Sequence, residues 1–132
     1  MRPLLWLMLN RRRNPERFYE RMVHQSSEVD RAILAHPEIR AMLTRNWSEA
    51  NRHGVRGYAQ ETVIFSRPWG FRLEDIAMEV RSWHGEEDAS MPPAAGRHVA
   101  GAIPHCVAAF LPGEGHFLLF DHWGEILAAL LS

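Results

Sequence analysis

The chain has 132 residues, 46% hydrophobic, 23% charged and 10% aromatic, with a formal charge of −1. That length suits one ordinary core burying roughly two-thirds of the unfolded surface, and the balance argues against disorder, collagen and coiled coil. All fifteen basic residues are Arg, so there is no Schiff-base or phosphate-loop lysine, and the near-neutral charge supplies no field for gathering nucleic acid. A single cysteine, Cys106, rules out an internal disulfide and a thiolate zinc cage.

The apolar stretch 3–9 is too short to cross ~30 Å of hydrocarbon, and Arg11-Arg12-Arg13 follows it instead of a small-residue cleavage site. It reads as a short helix ending in solvated bases, and the chain as a cytoplasmic protein with no membrane partner. Asn14-Pro15 is a helix start, with Phe18, Tyr19, Met22 and Val23 at helical spacing. Ser27 with Asp30 resembles a capping box with the shorter acid, ahead of Val29, Ile33 and Leu34. Pro37 opens a third helix whose apolar stripe is Ile39, Met42, Leu43, Trp47 and Ala50, with Gly54 placed to end it. A fourth, 55–65, carries Tyr58, Ala59, Thr62 and Val63 inward.

After the turn-rich Ser66-Arg67-Pro68-Trp69-Gly70 the pattern changes. Residues 79–84 read as a strand ending at Gly85, and Pro92-Pro93 opens a helix to about Ile103. Cys106–Leu111, an apolar run bounded by Pro104 and Pro112-Gly113, reads as a strand buried on both faces. Residues 117–131 form a closing amphipathic helix. Strand, helix, strand, helix predicts a right-handed crossover between parallel strands. The fold class is therefore α/β, a helical segment over 1–66 followed by a β-α-β-α unit over 67–132.

In open parallel sheets, chemistry lies beyond the carboxyl ends of the strands. Two loops meet that condition, 85–92 and 112–116, and parallel strands bring Asp88 and His116 to one edge. A carboxylate there can accept from Nδ1–H, fix the tautomer and stabilise the imidazolium formed when the other nitrogen takes a proton. Taken alone, Asp88 also reads as a solvated turn residue or a helix-capping carboxylate. Glu86, Glu87 and Glu114 read as loop charges facing water. His84, His98, His105 and His122 do not stand at i,i+4 or His-x-His spacing, so neither a metal nor a cofactor is expected. Trp69, Trp83 and Trp123 read as core or sheet-covering residues, and Trp6 and Trp47 as lining for an acyl pocket.

Over 69–131 the sequence resembles the C-terminal half of an α/β-hydrolase-fold enzyme. The matching residues are Trp83-His84-Gly85-Glu86-Glu87-Asp88, Met91-Pro92-Pro93 and Pro112-Gly113-Glu114-Gly115-His116-Phe117. The resemblance implies triad acid for Asp88 and base for His116, in the family's acid-before-histidine order. It also makes the helical first half similar to the family's inserted cap.

The Gly-x-Ser-x-Gly elbow is absent: Ser26, Ser27, Ser48, Ser66, Ser82, Ser90 and Ser132 all lack its glycines, and Cys106 lies inside a strand. The oxyanion-hole loop is absent too. What the resemblance implies is thus an esterase-like portion carrying acid and base, acting on a small apolar ester once completed by a nucleophile, serine or carboxylate, from outside these residues. The other reading is a non-catalytic binding or oligomerisation module derived from a hydrolase. Either way a two-stranded sheet leaves an open edge, so self-association or pairing with a separate N-terminal half is expected.

Overall fold

The computed structural model describes residues 14–52, 54 and 56–131. The expectations for 3–9, Trp6 and Arg11-Arg12-Arg13 lie outside the described residues, as do those for the side chains of Tyr58 and Ala59. The described residues mix helix with a two-stranded parallel sheet, the coarse α/β arrangement. They divide into two compact units. One holds residues up to His24 and Ala35–Phe71; the other holds Gln25–Leu34 and the residues from Arg72 onward. The second helix therefore belongs with the sheet, whereas the sequence grouped it with the other helices.

The first unit is helical. Helix α1 is Pro15–Gln25, and it begins where Asn14-Pro15 predicts, with Arg17 N donating to Asn14 Oδ1 at 3.1 Å. Helix α2, Glu28–Leu34, belongs to the second unit. Helix α3, Pro37–Ala50, starts on proline without a side-chain cap at His36. It stops earlier than Gly54 suggests. Asn51 closes it, donating from its backbone N at 3.2 Å and from Nδ2 at 2.9 Å to the Trp47 carbonyl, and Gly54, at φ +90°, completes the turn. That φ is one glycine adopts without a Cβ penalty. The predicted stripe of α3 is only partly covered, with Ile39, Leu43 and Trp47 half-buried and Ala50 exposed. Trp47 stacks on Phe18, ring centroids 3.6 Å apart and planes at 4°. Helix α4 is Arg56–Phe65, and Thr62 and Val63, expected inward, are exposed.

The second unit is built on strand β1, Val80–Gly85, and strand β2, Cys106–Leu111, paired in parallel from Val80 opposite Cys106 to Gly85 opposite Leu111. Helix α5, Pro93–Ala102, crosses between them, and helix α6, Leu119–Leu130, closes the chain. Prolines set these limits: Pro93 opens α5, while Pro104 and Pro112 flank β2, where a missing N–H and a fixed φ end regular pairing. Helix α5 packs on both strands, with Arg97 4.1 Å over the Phe110 ring and the His84 ring against Gly96. Ile33, Leu34, Ile103 and Leu118 are buried.

Strand β2 is not buried on both faces. Val107 is 61% exposed and Ala108 is also open, because α5 covers one face and the described residues supply a single neighbouring strand. Trp69 and Trp123 are more than half exposed and are not core residues, while Trp83 is half-buried. No helix among the described residues is long and apolar enough to cross a membrane.

Candidate functional site

Parallel pairing places the turns after β1 and β2 at one end of the sheet, and the backbone then locks them together. Glu86 N donates to Leu111 O at 3.0 Å and Glu87 N to Glu114 O at 2.8 Å. Gly85 makes this approach feasible: a Cβ there would overlap the carbonyl oxygens of Glu114 and Gly115. Neither carbonyl can yield cheaply, because both belong to main chain.

The first turn is organised by its own aspartate. Asp88 Oδ1 accepts from the amides of Ser90 and Met91, both at 2.8 Å. Its Oδ2 lies 2.9 Å from His116 Nδ1. Burial opposes the charge on Asp88, but the Met91 amide, the His116 ring and the Ser90 amide outweigh it and hold the carboxyl below its usual range. Asp88 is therefore ionised near neutrality and can only accept, so the proton of this bond sits on His116 Nδ1. In the neutral ring Nε2 is then the unprotonated nitrogen, and it has no hydrogen-bond partner among the described residues. The His116 side chain is 44% exposed while that of Asp88 is 6% exposed, so the imidazole faces solvent and the carboxylate does not.

His84 supports the same turn. Its Nε2 donates to Met91 O at 3.0 Å and stands 3.9 Å from Asp88 Oδ2, beyond a hydrogen bond. The ring lies where a Cβ at Gly96 would be, so glycine on α5 is what lets it seat.

The second turn is held by groups the sequence did not mark as functional. Asp30, on α2, is fully buried. Its Oδ2 accepts from His116 N at 3.1 Å and its Oδ1 from Phe117 N at 2.9 Å. The local pattern around it is half a capping box: Asp30 N donates to Ser27 Oγ at 3.3 Å, while the Ser27 hydroxyl donates to Asp30 Oδ2 at 2.8 Å. A glutamate at this position normally reaches back to the cap residue's own amide. The shorter acid turns instead to amides 86 and 87 positions away. The one available signal was that substitution of Asp for Glu or Gln in the box.

Glu114 does not simply face water either. Its Oε1 accepts from His122 Nε2 at 3.1 Å, and Glu125 Oε2 accepts from Nδ1 at 3.2 Å. These two bonds raise the His122 pKa above its ordinary value. Glu86 and Glu87 are both exposed as expected, and Glu86 also pairs with Arg97.

Beside the pair lies a groove of about 550 Å³, walled by Trp83, Leu118, Leu119, Ile126 and Leu130, with Asp88 and His116 in its lining. Among the described residues no hydroxyl or thiol bonds to His116. Cys106 opposes Val80 at the start of the paired strands, the end away from Asp88 and His116. Among the described residues no group of three or more His, Cys, Asp or Glu could hold a metal ion. The arrangement can therefore orient an imidazole, stabilise its cation and present Nε2 next to an apolar wall. No protein-family model, curated protein or solved structure matches this chain.

Proposed function

We propose that Asp88 and His116 are the orienting acid and the general base of an esterase-like, α/β-hydrolase-type acyl-transfer site whose nucleophile is supplied from outside the described residues. The reading rests on one observation, the 2.9 Å contact between His116 Nδ1 and a carboxylate whose other oxygen is already tied down by two amides. In the reaction, Nε2 takes the proton of the attacking hydroxyl, Asp88 stabilises the resulting imidazolium, and Nε2 returns the proton to the leaving alkoxide. Water then repeats the cycle on the acyl intermediate. The apolar groove suits esters of small or medium apolar acids.

The base can be tested without the nucleophile, because an oriented imidazole itself attacks activated esters. With p-nitrophenyl acetate, Nε2 bonds to the acyl carbon, p-nitrophenolate leaves, and water cleaves the acyl-imidazole. His116→Gln is expected to reduce the chain's cleavage rate to that of its other histidines. Asp88→Asn is expected to lower the His116-dependent part about tenfold, the equivalent of roughly 1.4 kcal/mol of barrier. Equal rates for wild type and His116→Gln overturn the proposal.

The exposed apolar surface supports a second reading, a binding or oligomerisation module. Val107 on β2, and Ile64, Phe65, Trp69 and Phe71 in the helical unit, are all exposed. On this reading the chain self-associates or pairs with a separate polypeptide, and light scattering after size exclusion gives a mass above 15.2 kDa. A stable monomer counts against it.

A further inference from the structure

The His116 turn is anchored by a carboxylate that never meets the imidazole. Asp30 has no solvent exposure, and its two oxygens accept from both amides that flank the point where the His116 side chain leaves the backbone. Fit is close on the other side as well, since a Cβ at Gly115 would overlap the Asp30 carboxyl group. Two adjacent amides bound to two oxygens of one buried, planar group fix both the position and the rotation of the peptide between them. Rotation of that peptide would swing the imidazole away from Asp88, which is fixed independently by the Ser90 and Met91 amides.

We propose that Asp30 is the positioning residue for His116, setting the backbone from which the ring reaches Asp88. This rests on the reading of His116 as a base, and it adds a third carboxylate-bearing element, α2, to the two turns. Its role is distinct from that of Asp88. Asp88 decides which nitrogen carries the proton; Asp30 decides where the ring stands. Helix stability alone does not require the arrangement, because Ser27 already caps α2 through Asp30 N.

The test is nuclear magnetic resonance on the full chain labelled with ¹⁵N, following the His116 ring nitrogens and the backbone amides of His116 and Phe117. Asp30→Asn keeps the shape but turns an NH₂ toward one of the two amides, leaving that donor unpaired. The expected result is exchange of that amide faster by about tenfold, together with loss or broadening of the His116 Nδ1–H resonance. Phe18→Ala is the control: it removes a stacked ring from the helical unit and touches neither Asp30 nor its partners, so the ring signature stays as in wild type. A folded Asp30→Asn whose Nδ1–H resonance and ring shifts match wild type overturns the proposal.

Should Asp30→Asn not fold, the unaltered chain decides. Urea is raised in steps below the unfolding midpoint, and protection of the two amides is expected to vanish together with the Nδ1–H resonance. A ring bond that outlasts the amides overturns the proposal. The reading of His116 as a base fails differently, as intact ring signatures with no His116-dependent ester cleavage.

Discussion

In the helical unit, two contacts between α1 and α3 reach the surface. Phe18 lies flat on Trp47 with both rings half-buried, and Arg40 spans the Tyr19 ring while pairing with Glu16 where both side chains are half exposed. In the sheet unit the corresponding contacts are withdrawn from water and run from carboxylates to backbone amides, at Asp30 and at Asp88. Exposed ion pairs tolerate change because water and salt already screen them. Buried amides do not, since a lost acceptor leaves each one unsatisfied. The contrast teaches that the geometry of the candidate site comes from a few main-chain anchors, while these α1–α3 contacts are made between side chains that water reaches.

Gly85→Ala should break the comparison most. A Cβ pressed into two main-chain carbonyls forces the turns apart, for a loss of roughly 3 kcal/mol in urea unfolding and a weakened Asp88–His116 contact. Phe18→Ala comes next: removal of a stacked, half-buried ring should cost roughly 1–2 kcal/mol in the helical unit. The His116 ring resonances should stay put.

Acid sharpens the difference further. The folded pKa of Asp88 is depressed, so its stabilisation is complete above the ordinary value of about 3.9 and is lost as pH falls through the lower folded value. Urea midpoints measured down the acid range should drop less steeply in Asp88→Asn than in wild type. The smallest effect belongs to His122. Its folded pKa is raised, so its contribution is complete below about 6.5 and fades as pH climbs through the folded value. A His122→Gln variant should lose the part of the midpoint shift seen in wild type between mildly acidic and alkaline pH.

Much of this arrangement can be read from local chemistry. Asn14-Pro15 starts a helix, the prolines on either side of Cys106–Leu111 bound a strand, and parallel strands bring Asp88 and His116 to one edge. Each of these follows from what a residue does to its own backbone or to its nearest pairing partner. Burial does not follow in the same way. An apolar run such as Cys106-Val-Ala-Ala-Phe-Leu reads as enclosed, but enclosure depends on layers the run itself does not specify, and Val107 is open. Thr62 and Val63 mislead for the same reason: helical spacing marks a face without saying what covers it. Asp30 stayed hidden because its local pattern already had a sufficient use as a helix start, and its distant amides carry no side-chain signal at all. Glu114 and His122, eight positions apart, looked independent because a turn of chain separates them.

The seat that α2 provides also governs how this protein can be dissected. A fragment cut near residue 66 to isolate the strand–helix–strand portion would carry both members of the imidazole–carboxylate couple, yet leave behind the acceptor for two of its amides. Such a piece would retain the ingredients without their alignment. A faithful minimal version must splice residues 25–34 back on, as a covalent graft or as an added peptide.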